Sequence, residues 1–467
     1  MTTDKNTSRR PSGRAPGRPA QARSIGRLRG ALGTAAAIAG FAGWWGPAAA
    51  PAPAADLPEP VIPQGVGVNI HFTRGHERDL DLIAAAGFRF IRMDFSWQGT
   101  ERKPGQYSWS DYEELTSQLE RRGLRALYIL DYSNSLYEET VEARNPITGQ
   151  NRRDVASPQR PESVAAFARW AGAAARHFQG RRIIWEIWNE PNISFWKPKP
   201  DVGQYTALAL AACRAIRAAD PRATIVAPAT SGFPWEFLES FFAAGALEHL
   251  DAVSVHPYRD YKRPPETASD DYRRLRELIR RHQPASDRRA LPILSGEWGY
   301  ATHTRGVPLE TQAAFLVRQQ LANLLDGVPL SIWYDWKNDG ADPGEREHNF
   351  GTVGTDLAPK PAYRALEVMT RELAGCRISR RIPLPDPSDY VLVAQTESGR
   401  QVLAAWTTGD ARSVTFAFPA AGQPKGVTGA GESFDPVVRN GQITLDLGPL
   451  PRYVRIGPAQ PPPPTAP

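Results

Sequence analysis

Residues 61–375 predict a (β/α)8 barrel, and the residues behind it predict a small C-terminal β-sandwich. Three observations carry this. Eight short apolar runs alternate with eight amphipathic stretches, the arithmetic of eight βα units spread over roughly 310 residues. No Gly-rich phosphate turn follows the first run, which argues against the competing doubly wound sheet. Past Gly375 the texture changes to short β-rich runs broken by Gly, Pro and Asp turns.

The expected barrel strands are VGVNIHF (66–72), FRFIRMDF (88–95), LRALYILD (124–131), RIIWEIWN (182–189), ATIVAPA (223–229), LDAVSVH (250–256), LPILSGE (291–297) and LSIWYDW (330–336). Segments such as LTSQLERR, ESVAAFARWAGAAARHF, YTALALAACRAIRAA and TQAAFLVRQQLANLLD follow them. Their apolar residues recur at three- and four-residue spacing, as a helix with one buried face requires. The runs YVLVAQTESG, QVLAAWTTG, SVTFAFP, GQITLDLG and RYVRIG place the sandwich at 376–457. PAQPPPPTAP at 458–467 reads as a disordered tail.

The 467 residues are 41% hydrophobic and 23% charged, an ordinary globular balance. The net charge of +6 misleads. Residues 1–30 hold Lys5 and seven arginines against Asp4, a net of +7, which leaves −1 for the rest. A nucleic-acid footprint needs a basic face on the folded domain, so that class is excluded. The basic stretch precedes the apolar run ALGTAAAIAGFAGWWG and an Ala/Pro-rich segment with an A-x-A arrangement at Ala48–Ala50. Residues 1–55 therefore read as an export signal and linker, with an uncleaved signal anchor as the alternative. Export to the periplasm or beyond is expected, and so is a monomer. Two cysteines, Cys213 and Cys376, supply neither a disulfide framework nor a metal site. HERDL at 76 lacks the second histidine of a zincin, and no metal or cofactor is expected.

In such a barrel the chemistry sits at the C-terminal ends of the strands. Those positions hold Asn69 and His71, Arg92 and Asp94, Asp131, Asn189 and Glu190, His256 and Tyr258, Glu297 and Trp298, and Trp333 with Trp336. Glu190 and Glu297 end the fourth and seventh runs, on opposite sides of the mouth, where their side chains can face each other across a cleft. Paired carboxylates between aromatic walls are what glycoside hydrolysis needs.

WEIWNEPN at 185–192 and LSGEWGY at 294–300 resemble the acid/base and nucleophile motifs of the retaining glycoside hydrolases of clan A. The span 61–457 fits that superfamily, with a local likeness to family 39 and its bacterial exopolysaccharide-associated endoglycosidases. The resemblance implies that Glu190 is the general acid/base, that Glu297 is the nucleophile, and that Asn189 contacts the sugar 2-hydroxyl. The physical logic agrees. A charged nucleophile needs nearby positive charge or donors, and Arg92 and Tyr258 are the natural suppliers. Glu190 must start protonated, so burial and the charge of Glu297 should raise its proton affinity.

Plainer readings stand beside these. Arg92 could pair with Glu186, because 186, 188 and 190 would share one strand face. His256 could be a satisfied core histidine, Asn69 and His71 barrel-floor packing, and Asp94 and Asp131 rim or structural acids. Trp97, Trp188, Trp196, Trp298, Trp333 and Trp336 lie at or beyond strand ends, where an indole can stack on a sugar face or simply pack. Trp333 and Trp336 should point to opposite faces, so at most one forms the sugar platform. Long loops at 132–160 and 337–360, with Tyr132, Tyr137, Arg144, His348 and Asn349, lean toward endo action on a polysaccharide. An exo-acting xylosidase-like enzyme and a catalytically silent polysaccharide-binding protein are the rival functions.

Overall fold

The computed structural model describes residues 56–456 apart from 146, 147, 285, 287, 288 and 420–422. The N-terminal stretch read as an export signal and the Pro-rich tail lie outside the described residues. Among them, no helix is long and apolar enough to cross a membrane.

Eight parallel strands close into a barrel: β1 (Val66–Asn69), β2 (Phe90–Ser96), β3 (Arg125–Asp131), β4 (Ile184–Ile187), β5 (Thr224–Ser231), β6 (Ala252–His256), β7 (Ile293–Trp298) and β8 (Ser331–Trp333). Each lies inside an apolar run read from the sequence or overruns it by at most two residues. Eight helices follow: α1 (Glu77–Ala85), α2 (Ser110–Glu120), α3 (Pro161–His177), α4 (Val202–Ala219), α5 (Trp235–Ala243), α6 (Ser269–His282), α7 (Leu309–Leu325) and α8 (Pro361–Glu372). Local chemistry sets several of their ends. Proline occupies the first position of α3 and α8, where its missing N–H costs nothing, and the Asp201 carboxylate caps α4 by accepting from the Gln204 N–H. In α6, Asp270 and Asp271 open the helix and Arg280, Arg281 and His282 close it, matching the macrodipole.

Side-chain alternation along the strands builds two layers. Phe90, Leu127, Ile129, Ile184, Val226, Ala252, Leu294, Leu330 and Ile332 fill the barrel interior, while the opposite faces join the helix layer in a larger core. The apolar plug forms the floor on which the polar residues nearer the mouth stand.

The C-terminal strands are β9 (Arg377–Arg381), β10 (Asp389–Gln395), β11 (Gln401–Thr407), β12 (Arg412–Ala417), β13 (Lys425–Val427), β14 (Ser433–Phe434), β15 (Val437–Arg439), β16 (Gln442–Leu447) and β17 (Arg452–Ile456). They form a six-stranded sheet, β9-β10-β11-β17-β13-β14, and a three-stranded sheet, β12-β16-β15. Both faces of the larger sheet are covered. Val391, Val393, Leu403 and Val454 meet the smaller sheet, whereas Leu392, Ala394, Val402, Trp406 and Tyr453 join the barrel's outer core. That double burial explains why YVLVAQ and QVLAAW read as nearly continuous apolar runs, while the outer strands alternate. At the junction, Glu266 takes a bidentate ion pair from Arg318 and a hydrogen bond from the Trp406 indole at 2.7 Å.

Candidate active site

Two departures from regular strand geometry aim the glutamates. On β7, Ser295 pairs with Ser331 and Trp298 with Trp333, so two residues of β7 face one of β8. Ser331 points outward, where the Asn323 amide donates to its hydroxyl, and Trp298 and Trp333 share that outward side. The extra residue in the bulge leaves Gly296 and Glu297 both on the mouth side. Position 296 must be glycine, because a Cβ there would lie 2.3 Å from Ser254 Oγ and 3.0 Å from Glu186 Oε1. After β4 the backbone is left-handed at Trp188 (φ 67°) and Glu190 (φ 45°). Such conformations in residues other than glycine cost about 1 kcal/mol or more each. Here they send the Trp188 indole outward onto Trp196 and leave Asn189 and Glu190, neighbours in sequence, both at the mouth.

Arg92 organises the floor of the site and is 1% exposed. Its Nε donates to Glu186 Oε2 (2.7 Å), Nη1 to Glu297 Oε2 (2.6 Å), Nη2 to Asn189 Oδ1 (2.8 Å), and Nη1 more weakly to Asn69 Oδ1 (3.3 Å). The pairing with Glu186 and the pairing with Glu297 are thus simultaneous rather than alternatives. Glu297 receives a second hydrogen bond from the Tyr258 hydroxyl at 2.7 Å. Burial, and then the Glu297 charge, keep that phenol protonated well above its ordinary range.

His256 is fully buried between Arg92 Nη2 (3.3 Å) and Glu190 Oε1 (2.9 Å). Burial pushes its pKa down to about 4, so the ring is neutral. A guanidinium can only donate, so Nε2 accepts from Arg92 and Nδ1–H donates to Glu190. Glu190 itself is 6% exposed, and burial raises its pKa to about 7 against the opposing influence of Ser231, Arg92 and Arg346. The carboxylate that raises it further is Glu186, not Glu297 as the sequence suggested. Carboxyl oxygens of Glu190 and Glu297 approach within 4.8 Å.

Not every strand-end residue joins this cluster. His71 lies at the rim with its Nε2 3.1 Å from Asp335 Oδ2; burial opposes its charge, but Asp335 prevails and holds its pKa at about 9. Asn69 is 4% exposed and bonded to Arg92, so it positions rather than lines. The three tryptophans expected to bind sugar need correcting. Trp298 and Trp333 are buried on the outward side beside Tyr300, and the Trp336 indole donates to Asp79 Oδ1 of α1 at 2.9 Å. The strand ends at Trp333, so its alternation does not extend to 336. The half-exposed aromatic that sequence reading missed is Tyr334, which is edge-on to His71 and electrostatically coupled to Glu297. The one signal for it was its place in WYDW, one step past an outward tryptophan. Among the loop residues, Tyr132 bonds Asn189, whereas Tyr137 and Asn349 tie up Glu101 and the backbone of their own loop.

Asp131 is neither on the rim nor solvated. It is fully buried, no N–H or hydroxyl reaches its oxygens, and its partner is the carboxyl of Asp94. Burial raises both acids, Asp131 well above the usual carboxylate range.

Two groups bring metal-ligand atoms within 4.8 Å of one another: His71 with Asp335 and Asp339, and Glu190 with His256 and Glu297. Neither suits a cation, since His71 is held protonated and both His256 nitrogens already face Arg92 and Glu190. Cys213 and Cys376 are free, buried thiols.

Residues 59–340 match the family model for cellulase, glycosyl hydrolase family 5. A β-xylosidase of Caldicellulosiruptor saccharolyticus is 24% identical over 267 residues, 51% of this chain and 52% of that one. A β-xylosidase of Geobacillus stearothermophilus is 26% identical over 206 residues, 40% of each chain. The matched segments thus span about half or less of these relatives. Among solved structures, a family 39 glycoside hydrolase from Bacteroides cellulosilyticus shares the fold with a TM-score of 0.72 at 24% identity, covering 85% of this chain and 81% of that one. A monomeric β-xylosidase from Caulobacter crescentus does so with a TM-score of 0.60 at 17% identity, over 85% and 96%. With the family model covering more than half of its length, this chain belongs to the cellulase family of glycosyl hydrolases, family 5, within the clan A barrels.

Proposed function

We propose that the protein is an exported, retaining β-glycoside hydrolase that cuts within a polysaccharide, with Glu297 as nucleophile and Glu190 as general acid/base. The observation that carries this reading is that one oxygen of Glu190 lies within 4.8 Å of one oxygen of Glu297, which supports a short carboxylate separation. Double displacement uses a separation of about 5–5.5 Å, whereas direct attack by water needs roughly 6.5–9.5 Å.

Each environment suits its role. Glu297 takes two hydrogen bonds from donors, Arg92 and Tyr258, that favour its charged form. Its oxygen attacks the anomeric carbon while Glu190 delivers its proton to the glycosidic oxygen, and the leaving chain departs as an alcohol. The His256 N–H holds one Glu190 oxygen, and Ser231 also hydrogen-bonds the carboxyl that carries the proton. Glu190, now a carboxylate because it has given up its proton, takes a proton from water as the water oxygen attacks the anomeric carbon, and the ester bond breaks to release Glu297 as a carboxylate. Asn189, fixed between Arg92 and the Tyr132 hydroxyl, is placed to bind the 2-hydroxyl. The length of the segments that follow β3 and β8 favours an extended substrate, a bacterial exopolysaccharide in the family-39-like reading. Exo action on small β-xylosides is the second reading, favoured by the two β-xylosidase relatives.

Mass spectrometry of products from β-glucan, β-xylan, β-mannan and the source organism's own exopolysaccharide tests this. Internal cutting yields a ladder of oligosaccharides from wild type and none from Glu297→Gln. Monosaccharide release alone would favour the exo reading, and a ladder from Glu297→Gln would sink the nucleophile assignment.

A further inference from the structure

Between the loops that follow β6, β7 and β8 lies a cavity of about 620 Å³. Three arginines line it, Arg259, Arg305 and Arg346, against one carboxylate, Asp260. This sign is local: the chain beyond residue 30 is close to neutral, and the barrel mouth is crowded with carboxyl groups. The loops that carry the site also line the cavity. Gly299 in its wall is two residues past Glu297, Arg259 follows the Tyr258 that bonds Glu297, and the charge of Arg346 is felt at Glu190.

The arginines have bonding capacity to spare. The Arg259 side chain pairs through Nη2 with Asp271 at 2.6 Å and lies over the Phe233 and Trp298 rings, so the spare capacity is that of the other two. Arg305 is exposed and makes no hydrogen bond or ion pair among the described residues. Arg346 reaches only its sequence neighbour Glu347 and lies over the Phe350 ring. Structural arginines in a protein of this charge would be matched to carboxylates, as Arg318 is to Glu266. At the rim, Tyr261 is 46% exposed, an aromatic face of the kind that stacks on sugars.

We infer that this cavity is a subsite for a sugar residue bearing an anionic substituent, a carboxylate or a phosphate ester, joined to the residue that sits over Glu190 and Glu297. Planar guanidinium groups match both anions through paired N–H donors, so the shared chemistry is an oxyanion on a sugar. This rests on the hydrolase reading and specifies its substrate class.

Calorimetric titration of the Glu297→Gln protein tests it with two ligand pairs: xylotriose with and without a 4-O-methylglucuronic acid branch, and cellobiose with and without a 6-phosphate. In one pair the anionic ligand should bind about ten-fold or more tightly than its neutral partner. The Arg305→Gln/Arg346→Gln double substitution, confined to exposed side chains, should bring the two affinities within about two-fold, as should raising the salt to ~0.5 M. Preference in the first pair assigns a carboxylate, and in the second a phosphate ester. Failure of both anionic ligands to outbind their partners, or a preference that survives the double substitution, overturns the subsite. The hydrolase reading fails separately: a chain that binds acidic oligosaccharides but cuts no polymer retains the subsite and loses the activity.

Discussion

Two carboxyl pairs share one barrel mouth, and they differ in what surrounds them. Glu190 and Glu297 face each other from β4 and β7, each held by its own donors: His256 for one, Arg92 and Tyr258 for the other. Asp131, on β3, has chiefly the carboxyl of Asp94 on β2, whose own charge is favoured by Arg92 and His71. Burial raises the proton affinity of Glu190, Asp94 and Asp131 alike, so burial alone does not make an acid/base site. On the proposed mechanism, the Glu190–Glu297 pair differs from the other in receiving hydrogen bonds from N–H and hydroxyl donors at each member, which Asp131 lacks. The Glu297 side chain keeps 13% of its surface exposed, whereas Asp131 keeps none.

The largest test of that contrast is Glu297→Gln, which keeps the shape and removes the charge. Turnover should fall by at least roughly 10⁴-fold, as when a covalent nucleophile is lost elsewhere. Added azide should rescue a Glu297→Gly variant as a glycosyl azide of inverted configuration, read by NMR. Glu190→Gln comes next, with a loss of about 10²–10⁴-fold. That loss should shrink for substrates with good leaving groups, which need little protonation. In wild type, kcat/KM should decline as pH rises past about 7, because Glu190 must enter the reaction protonated.

Arg92→Met probes one of those donors through stability. It strands Glu186, which is fully buried, and removes a donor from Glu297. Breaking a buried pair in this way costs about 3–5 kcal/mol, readable as a lower denaturation midpoint, and Arg92→Lys should recover only part of it. Glu190 offers a smaller stability effect with a definite sign. Its pKa is higher folded than unfolded, so between about 4.5 and 7 the folded protein binds more protons and loses stability as pH rises. Glu190→Gln should therefore be more stable than wild type at pH 8, by up to roughly 3 kcal/mol, and equal to it at pH 4.

Much of this architecture was legible because periodicity reports burial. All eight barrel strands fall on runs visible in the sequence, and the two glutamates stand out because each closes such a run. The failures share one cause: reading side-chain direction from alternation beyond the point where regular strand geometry ends. Trp188 was expected to share an inward face with Glu186 and Glu190, but its left-handed backbone turns it outward. Trp333 and Trp336 were candidates for a sugar platform, but the bulge on β7 and the early end of β8 put both into the helix layer and leave Tyr334 at the mouth. Asp131, read as a rim or structural acid, is a buried one, and nothing in LRALYILD reveals that its carboxyl meets that of Asp94. Bulges and left-handed residues are set by tertiary packing, so single-sequence patterns do not announce them.

The smallest expected effect belongs to the Asp94–Asp131 pair, and it sharpens the contrast most cleanly. With no N–H or hydroxyl reaching its oxygens, Asp131 can share a hydrogen bond with Asp94 only if one of the two carries a proton. Asp131→Asn supplies a permanent N–H in the same shape, so near pH 5 its stability should match wild type to within about 1 kcal/mol. As pH rises, wild type must surrender the shared proton or hold it against solvent. Because both pKa values are raised on folding, wild type loses stability toward alkaline pH and the asparagine variant loses less. Thermal denaturation at pH 5 and pH 9 measures this directly, and parallel curves for the two proteins would mean that the pair is not proton-sharing. Turnover, in contrast, should stay within a few-fold of wild type. A deep loss of activity on Asp131→Asn would make the second pair part of the chemistry, and would erase the distinction that the donors draw between them.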